Sequence, residues 1–306
     1  MSKSWKASLV NVLRTHNGVR SGGSVASHLT QEKRGDVLFA GFTKLRELGY
    51  RLDDVHQFKG RHMEALAAAW DKEGLGASTL QNNISVFRTF ASWIGKAGMV
   101  LPTEKYVGPD RARRTSINKT DKSWSAKGID VAAKIEEVRA VDPRVAVQLE
   151  LERVYKLRPS EAMQLRPFLA DRGNFLAVNW GTKGGRHRVV AIATPEQREV
   201  LDRAKTFAAK PNGSMCPPEL TLLQSKGHYY RVMAKCGITK KAASITSYGL
   251  RHAGGNDRYR ELTGEDSPVR GGGMVDPDLD QHARQVIAEE LGHSRTCITT
   301  HYLGSR

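Results

Sequence analysis

Arg158 and Glu161 stand three residues apart in the run LRPSEAMQL, residues 157–165. At that spacing, on the first turn of a helix, a carboxylate can hold a guanidinium in a fixed direction. A surface ion pair is the competing reading of any lone pair of this kind. Lys183 follows in TKGGR, residues 182–186, a turn from which an ammonium can reach a ligand; taken alone it is a solvated turn lysine. Further on, SYGLRHAGG (247–255) supplies Arg251 and His252, and ELGHSRTCITTHYL (290–303) supplies His293 and Tyr302. Each piece is weak alone, and their order along the chain is the informative feature. Walker A, GxGxxG, HExxH and EF-hand patterns are absent, so nucleotide, dinucleotide, zincin and calcium readings gain no support. The glycines at 271–273 lack the preceding strand and the GK[ST] ending of a phosphate cradle.

These residues sit in a chain of 306, long enough for two domains, and 39% apolar with 7% aromatic residues suffices to pack both. That excludes wholesale disorder. The net charge of +16 makes a polyanion the expected partner, nucleic acid first and anionic lipid second. Against lipid, the longest apolar run, residues 65–70, falls far short of the ~20 residues of a span. The first thirty residues carry no apolar h-region or cleavage site, so a cytoplasmic protein is expected. Cys216, Cys236 and Cys297 are odd in number, far apart and without a CxxC pair, which argues against a disulfide framework or zinc cluster and predicts ordinary buried thiols. No cofactor or metal is expected.

The elements that must position the site fall in two blocks. Residues 102–125, with two prolines, clustered Arg and Lys and no apolar periodicity, read as an exposed basic linker. Before it, Leu80, Ile84, Phe87, Ala91 and Ile94 recur at helical steps, with Gly98 as a C-cap. Helical stretches at 37–48 and 61–72, with one near the N-terminus, complete a small all-helical unit. After the linker, helices at 131–139 and 145–156 precede two strands, 175–180 and 187–193, closed into a hairpin by TKGGR. Helices follow at 196–208, 229–236, 248–261 and 281–291. The fold class is therefore mainly α with a small β-sheet (α+β). Residues 262–277, rich in Gly and Pro, read as a mobile loop and a plain surface insertion.

In order through the second block, these segments resemble the tyrosine recombinase (phage integrase) family. Arg158 stands in its first-arginine motif, Lys183 at its hairpin lysine, Arg251 in LeuArgHis, His293 in LeuGlyHis, and Tyr302 nine residues later at its nucleophile. The resemblance implies a helical, SAM-like core-binding domain (1–101), a linker (102–125) and a catalytic domain (126–306) that together clamp double-stranded DNA. It implies a homo-tetramer on two duplexes, with a DNA-bending accessory protein as a candidate partner. Arg158 and Arg251 would neutralise the phosphodiester in a pentacoordinate transition state, without a metal. Tyr302 would attack, helped by neighbouring cations because a phenol of pKa ~10 is otherwise a poor nucleophile. Lys183 would protonate the departing 5′ oxygen and His293 would donate to the phosphate, leaving a 3′-phosphotyrosyl bond.

One departure bears on mechanism: Tyr248 stands three residues before Arg251, where the family usually has His or Lys. A phenol donates a hydrogen bond but is a poor base at neutral pH, so Tyr248 is assigned a hydrogen-bonding role, against the alternative of a tyrosine filling a helix N-terminus. His252 is read as a satisfied core histidine. The sequence stops four residues after Tyr302, which predicts a segment that is mobile without DNA. Site-specific recombination for integration or excision of a mobile element is the leading function. A type IB topoisomerase-like nicking and closing enzyme, a catalytically impaired binder of the same fold, and a non-enzymatic binder using a helix-turn-helix at 73–78 remain as alternatives.

Overall fold

The computed structural model describes residues 4–19, 22–115 and 117–305, and the chain divides after Thr115 into two compact units. The first is helical: α1 (Trp5–His16), α2 (His28–Glu47), α3 (Gly60–Lys72), α4 (Ala77–Trp93), and the short α5 (Glu104–Val107) and α6 (Pro109–Ala112). Leu80, Ile84, Phe87 and Ala91 of α4 are buried as their spacing predicts. They meet Leu38 and Phe42 of α2, Met63 and Leu66 of α3, and Phe58. The C-cap of α4 differs from expectation. The helix turns at Gly95, whose φ is +76°, and Lys96 N–H donates back to the Ala91 carbonyl, so Gly98 comes too late to end it. The α2 helix starts well before residue 37, because Ser27 caps it by accepting from the Thr30 N–H.

The second unit runs α7 (Val131–Val141), α8 (Pro143–Val154), α9 (Pro159–Gln164), α10 (Pro167–Ala170), β1 (Phe175–Val178), β2 (Arg188–Ala191), α11 (Pro195–Thr206), α12 (Leu222–Lys235), α13 (Lys240–Ala243), α14 (Tyr248–Thr263), α15 (Pro277–Glu290) and α16 (Thr300–Leu303). The strands pair antiparallel, with Phe175 opposite Ala191 and Val178 opposite Arg188, so the hairpin is as expected though each strand is shorter. The α12 helix begins a full seven residues earlier than predicted, where Thr221 caps it. The α8 helix is buried on most of its surface, from Val145 to Glu152, and forms the centre of this unit.

Three expectations are corrected. The 102–125 strip is not exposed throughout: Ala112 is buried and Arg111 pairs with Asp71 in the first unit, while Trp124 is buried in the second and donates to the Thr246 carbonyl at 2.7 Å. A tryptophan that can bury its ring and pair its N–H outweighs the basic, proline-containing composition around it. Residues 262–277 are no plain insertion, since Ser267 is fully buried and Arg270 pairs with Asp121 and Asp257. The cysteines are only half-buried at 216 and 236, and Cys297 is exposed. No helix among the described residues is long and apolar enough to cross a membrane.

Candidate active site

The site grows from the start of α9. Pro159 occupies the first helical position and Glu161 the third, where its carboxylate accepts the Arg158 backbone N–H at 2.8 Å and the Arg158 guanidinium at 2.6 Å. The pair is no surface bridge. Glu161 is wholly buried and also takes both Nη groups of Arg188 at 2.8 Å, with Arg251 Nη1 3.9 Å away. Burial alone would raise the Glu161 carboxyl, but the hydrogen bonds and charge of Arg188, followed by the charge of Arg158, outweigh it and hold it at about 2.

The opposite wall is the C-terminal end of α15. The Glu290 carbonyl accepts Arg188 Nε at 3.0 Å, and the Leu291 carbonyl accepts Arg158 Nη2 at 3.1 Å and Arg251 Nη2 at close range. These carbonyls have no partner inside their own helix and form the negative end of its dipole, so they suit cations. Gly292, in the left-handed region at φ +66°, ends the helix, and His293 N–H returns to the Ala288 carbonyl at 2.8 Å. That turn is the local reason for LeuGlyHis: it aims the imidazole across the guanidiniums. A Cβ at Gly292 would meet Arg188 Cδ at 3.1 Å.

Arg251, on the first turn of α14, is fully buried. Its Nη1 donates to the carbonyl of Lys156, a residue in the left-handed region at φ +55°, and its Nε donates to the Tyr302 hydroxyl at 3.2 Å. The same hydroxyl lies 3.3 Å from His293 Nε2 and in close contact with the Tyr248 hydroxyl. Tyr302 itself is 1% exposed, which runs against the expectation of a mobile nucleophile segment: Leu303, Leu291, Ile287, Ala283 and Tyr259 pack into one cluster with its ring. Apolar burial of Tyr302 and Leu303 holds a segment that its place near the end of the sequence suggested would be loose.

Of the six predicted residues, Arg158, Tyr248, Arg251, His293 and Tyr302 meet in this constellation. Lys183 is exposed in the hairpin turn, where its charge still bears on His293. The base of that turn is docked, because Gly181 packs so close to the Ser160 carbonyl that a Cβ would stand 2.1 Å from it, and Ser160 Oγ donates to the Gly181 carbonyl at 2.9 Å. Burial and then the charges of Arg251, Arg158, Lys183 and Arg188 lower His293 to about 4, leaving a neutral imidazole at neutral pH. Burial and then Tyr302 raise the Tyr248 phenol, which keeps its proton as a donor.

His252 is buried, but it is not satisfied: Nδ1 has no hydrogen-bond partner among the described residues, and burial lowers the imidazole to about 4. Its ring centroid lies 4.7 Å from that of Tyr302. Sequence reasoning missed Arg188. The signal was the strand period, since Arg188 shares a face with buried Val190.

Two family models match the chain: "Phage integrase, N-terminal" over residues 17–100 and "Integrase" over residues 112–257, the latter spanning Arg158, Lys183, Tyr248 and Arg251. Among solved structures, the chain is similar to lambda integrase (75–356), a dimer bound to a COC′ core site, at 14% identity and TM-score 0.62 over 98% of this chain and 95% of that one. It is also similar to lambda integrase as a tetramer bound to a Holliday junction (14%, TM-score 0.57, 94% and 78%). The Tn1549 transposon integrase (82–397, Y379F) with transposon right end DNA gives 13% identity and TM-score 0.59 over 98% and 95%. A search of curated protein sequences returns no match. With both family models in register and the fold shared, the chain belongs to the tyrosine recombinase (phage integrase) family of DNA-breaking and DNA-rejoining enzymes.

Proposed function

We propose that this protein is a site-specific recombinase that cleaves DNA through a 3′-phosphotyrosyl bond to Tyr302, serving integration or excision of a mobile element. The observation that carries this reading is the meeting of Arg251 Nε, His293 Nε2 and the Tyr248 hydroxyl on one oxygen, that of Tyr302. A phosphodiester entering the site would take donors from Arg251, Arg158 and His293, and the directions of the two guanidiniums are already fixed by Glu161 and the Leu291 carbonyl. The Tyr302 oxygen attacks phosphorus as its phenolic proton passes to the neutral His293 imidazole, whose Nε2 lies 3.3 Å away. The bond to the 5′ oxygen breaks, Lys183 supplies the proton to the leaving hydroxyl, and the charged imidazole donates to the phosphate. Strand rejoining reverses these steps and conserves the bond energy. Tyr248 donates a hydrogen bond and does not act as the base.

The first unit (1–101 as core-binding domain) and the second (126–306 as catalytic domain), joined through 102–125, would clamp one duplex, and four copies would hold two duplexes. The lambda integrase tetramer on a Holliday junction supports that assembly. A DNA-bending accessory protein fits the same scheme, as does a nucleoid-associated location.

The test is covalent capture on nicked suicide duplexes tiled from DNA flanking the gene. A denaturing gel should show an adduct that Tyr302→Phe abolishes, and duplex affinity should fall steeply with salt because many phosphates are contacted. Salt-sensitive binding without an adduct would favour the impaired binder. Relaxation without Holliday junctions would favour a topoisomerase-like enzyme.

A further inference from the structure

The backbone of Tyr302 is gripped as well as its hydroxyl. Its carbonyl lies 3.4 Å from Asn256 Nδ2 and 3.5 Å from Asn118 Nδ2, and the Thr300 carbonyl accepts the Asn118 backbone N–H at 2.9 Å. Asn256 is fully buried; its Nδ2 also donates to the His252 carbonyl at 2.8 Å, and its Oδ1 accepts from the Ser267 hydroxyl. Ser267 is itself fully buried, in the loop that composition marked as a plain insertion.

We propose that Asn256, anchored by Ser267, is a positioning residue that sets Tyr302 against Arg251. The proposal rests on the reading of Tyr302 as nucleophile. Asn256 follows Arg251 by five residues on α14, so one rigid helix carries both the guanidinium and the amide that grips the tyrosine's peptide. The amide has only one satisfying orientation. Turned over, its oxygen would face the His252 and Tyr302 carbonyl oxygens, which can only accept, so those two carbonyls select the orientation and the Ser267 hydroxyl anchors Oδ1 in it. The loop is tied down in turn, by Arg270 on Asp121 at 2.9 Å and on Asp257 at 2.7 Å. It closes on Gly304, where a Cβ would stand 2.9 Å from Val269 Cγ1 and 3.0 Å from the Asn118 carbonyl oxygen. A buried amide costs stability unless every group is paired, and a leucine would fill the same volume without that demand. Its effect is to fix a distance.

The experiment uses full-length Asn256→Asp, which keeps the shape and loses the Nδ2 donors, and Ser267→Ala, which loses the hydroxyl that anchors Oδ1. Single-turnover adduct formation at saturating protein on the nicked duplexes, duplex affinity, and hydrogen exchange of residues 296–305 are measured together. Expected are duplex affinity within about twofold of wild type, adduct formation slowed ~10–100-fold for Asn256→Asp and ~10-fold for Ser267→Ala, and exchange faster only in 296–305. Should Asn256→Asp not fold, Ser267→Ala decides. Wild-type cleavage rates in the variants overturn the positioning role, and so does a parallel loss of affinity and of protection across the second unit. An absence of any adduct with wild type overturns the nucleophile reading itself, and the positioning role with it.

Discussion

The two units solve opposite problems. In the first, Phe42, Phe58, Phe87 and Phe90 meet ring on ring with centroids 5.2–6.2 Å apart, and this aromatic cluster is held by shape and apolar area. In the second, Glu152, Glu161, Arg251, His252, Asn256 and Ser267 are all buried. Charged and polar groups cost free energy to bury unless each is paired, so they add little net stability over an apolar core of the same shape. The difference teaches where function was selected: the apolar core holds a shape, whereas the polar one holds atoms at distances.

Breaking the contrast at its strongest point, Glu161→Ala should strand three guanidiniums without their shared counter-charge. We expect a loss of ~3–5 kcal/mol by denaturant unfolding together with loss of the covalent adduct; a stable, cleaving variant would show that the carboxylate is dispensable. The counterpart in the first unit is Gly41→Ala, whose Cβ would come 2.4 Å from Phe87 Cζ inside the aromatic cluster. Overpacking there should cost ~1–3 kcal/mol, and the mutant should form adduct at wild-type rate once bound.

A pH titration sharpens the contrast further. His252 and His293 stay neutral in the folded protein down to about 4, while in the unfolded chain they protonate near the usual ~6.5. For these two histidines unfolding takes up protons between those values, so their contribution to stability falls as pH drops through that window, while buried Glu152, raised to about 8 by desolvation, contributes the opposite slope and lowers stability as pH rises toward 8. His252→Gln should shallow the slope, and a slope unchanged by it would assign the dependence elsewhere. The smallest effect is expected at Ser27→Ala, where loss of the α2 cap should cost ~1 kcal/mol by thermal melting and leave cleavage untouched.

Much of the site was legible because its members lie in local motifs. Arg158 to Glu161 is one helix start, LeuGlyHis is one helix end, and SYGLR is one first turn, so each piece was readable locally, and the ordered set gained its meaning from the resemblance to the tyrosine recombinase family. The hairpin signal placed Lys183 in a turn, and the resemblance gave it a role. What spacing could not reveal is that Arg188 shares the Glu161 carboxylate, since that contact joins β2 to α9 across 27 residues. Nor could it show that His252 leaves a nitrogen unpaired, or that the 262–277 loop is packed. Gly and Pro report the backbone freedom of a segment but not the partners waiting for it, and here Arg270 finds Asp121 149 residues away.

By itself the sequence determined the helix periods, the two-unit division, the cationic surplus and the ordered set of Arg, Lys, Tyr, Arg, His and Tyr, because these depend on neighbours along the chain. Only the tertiary structure decided which groups share a carboxylate, which carbonyls receive the guanidiniums, and that Tyr302 is buried with its hydroxyl on Arg251. Those depend on desolvation and on distances between segments far apart in sequence, and both arise only when the chain has packed.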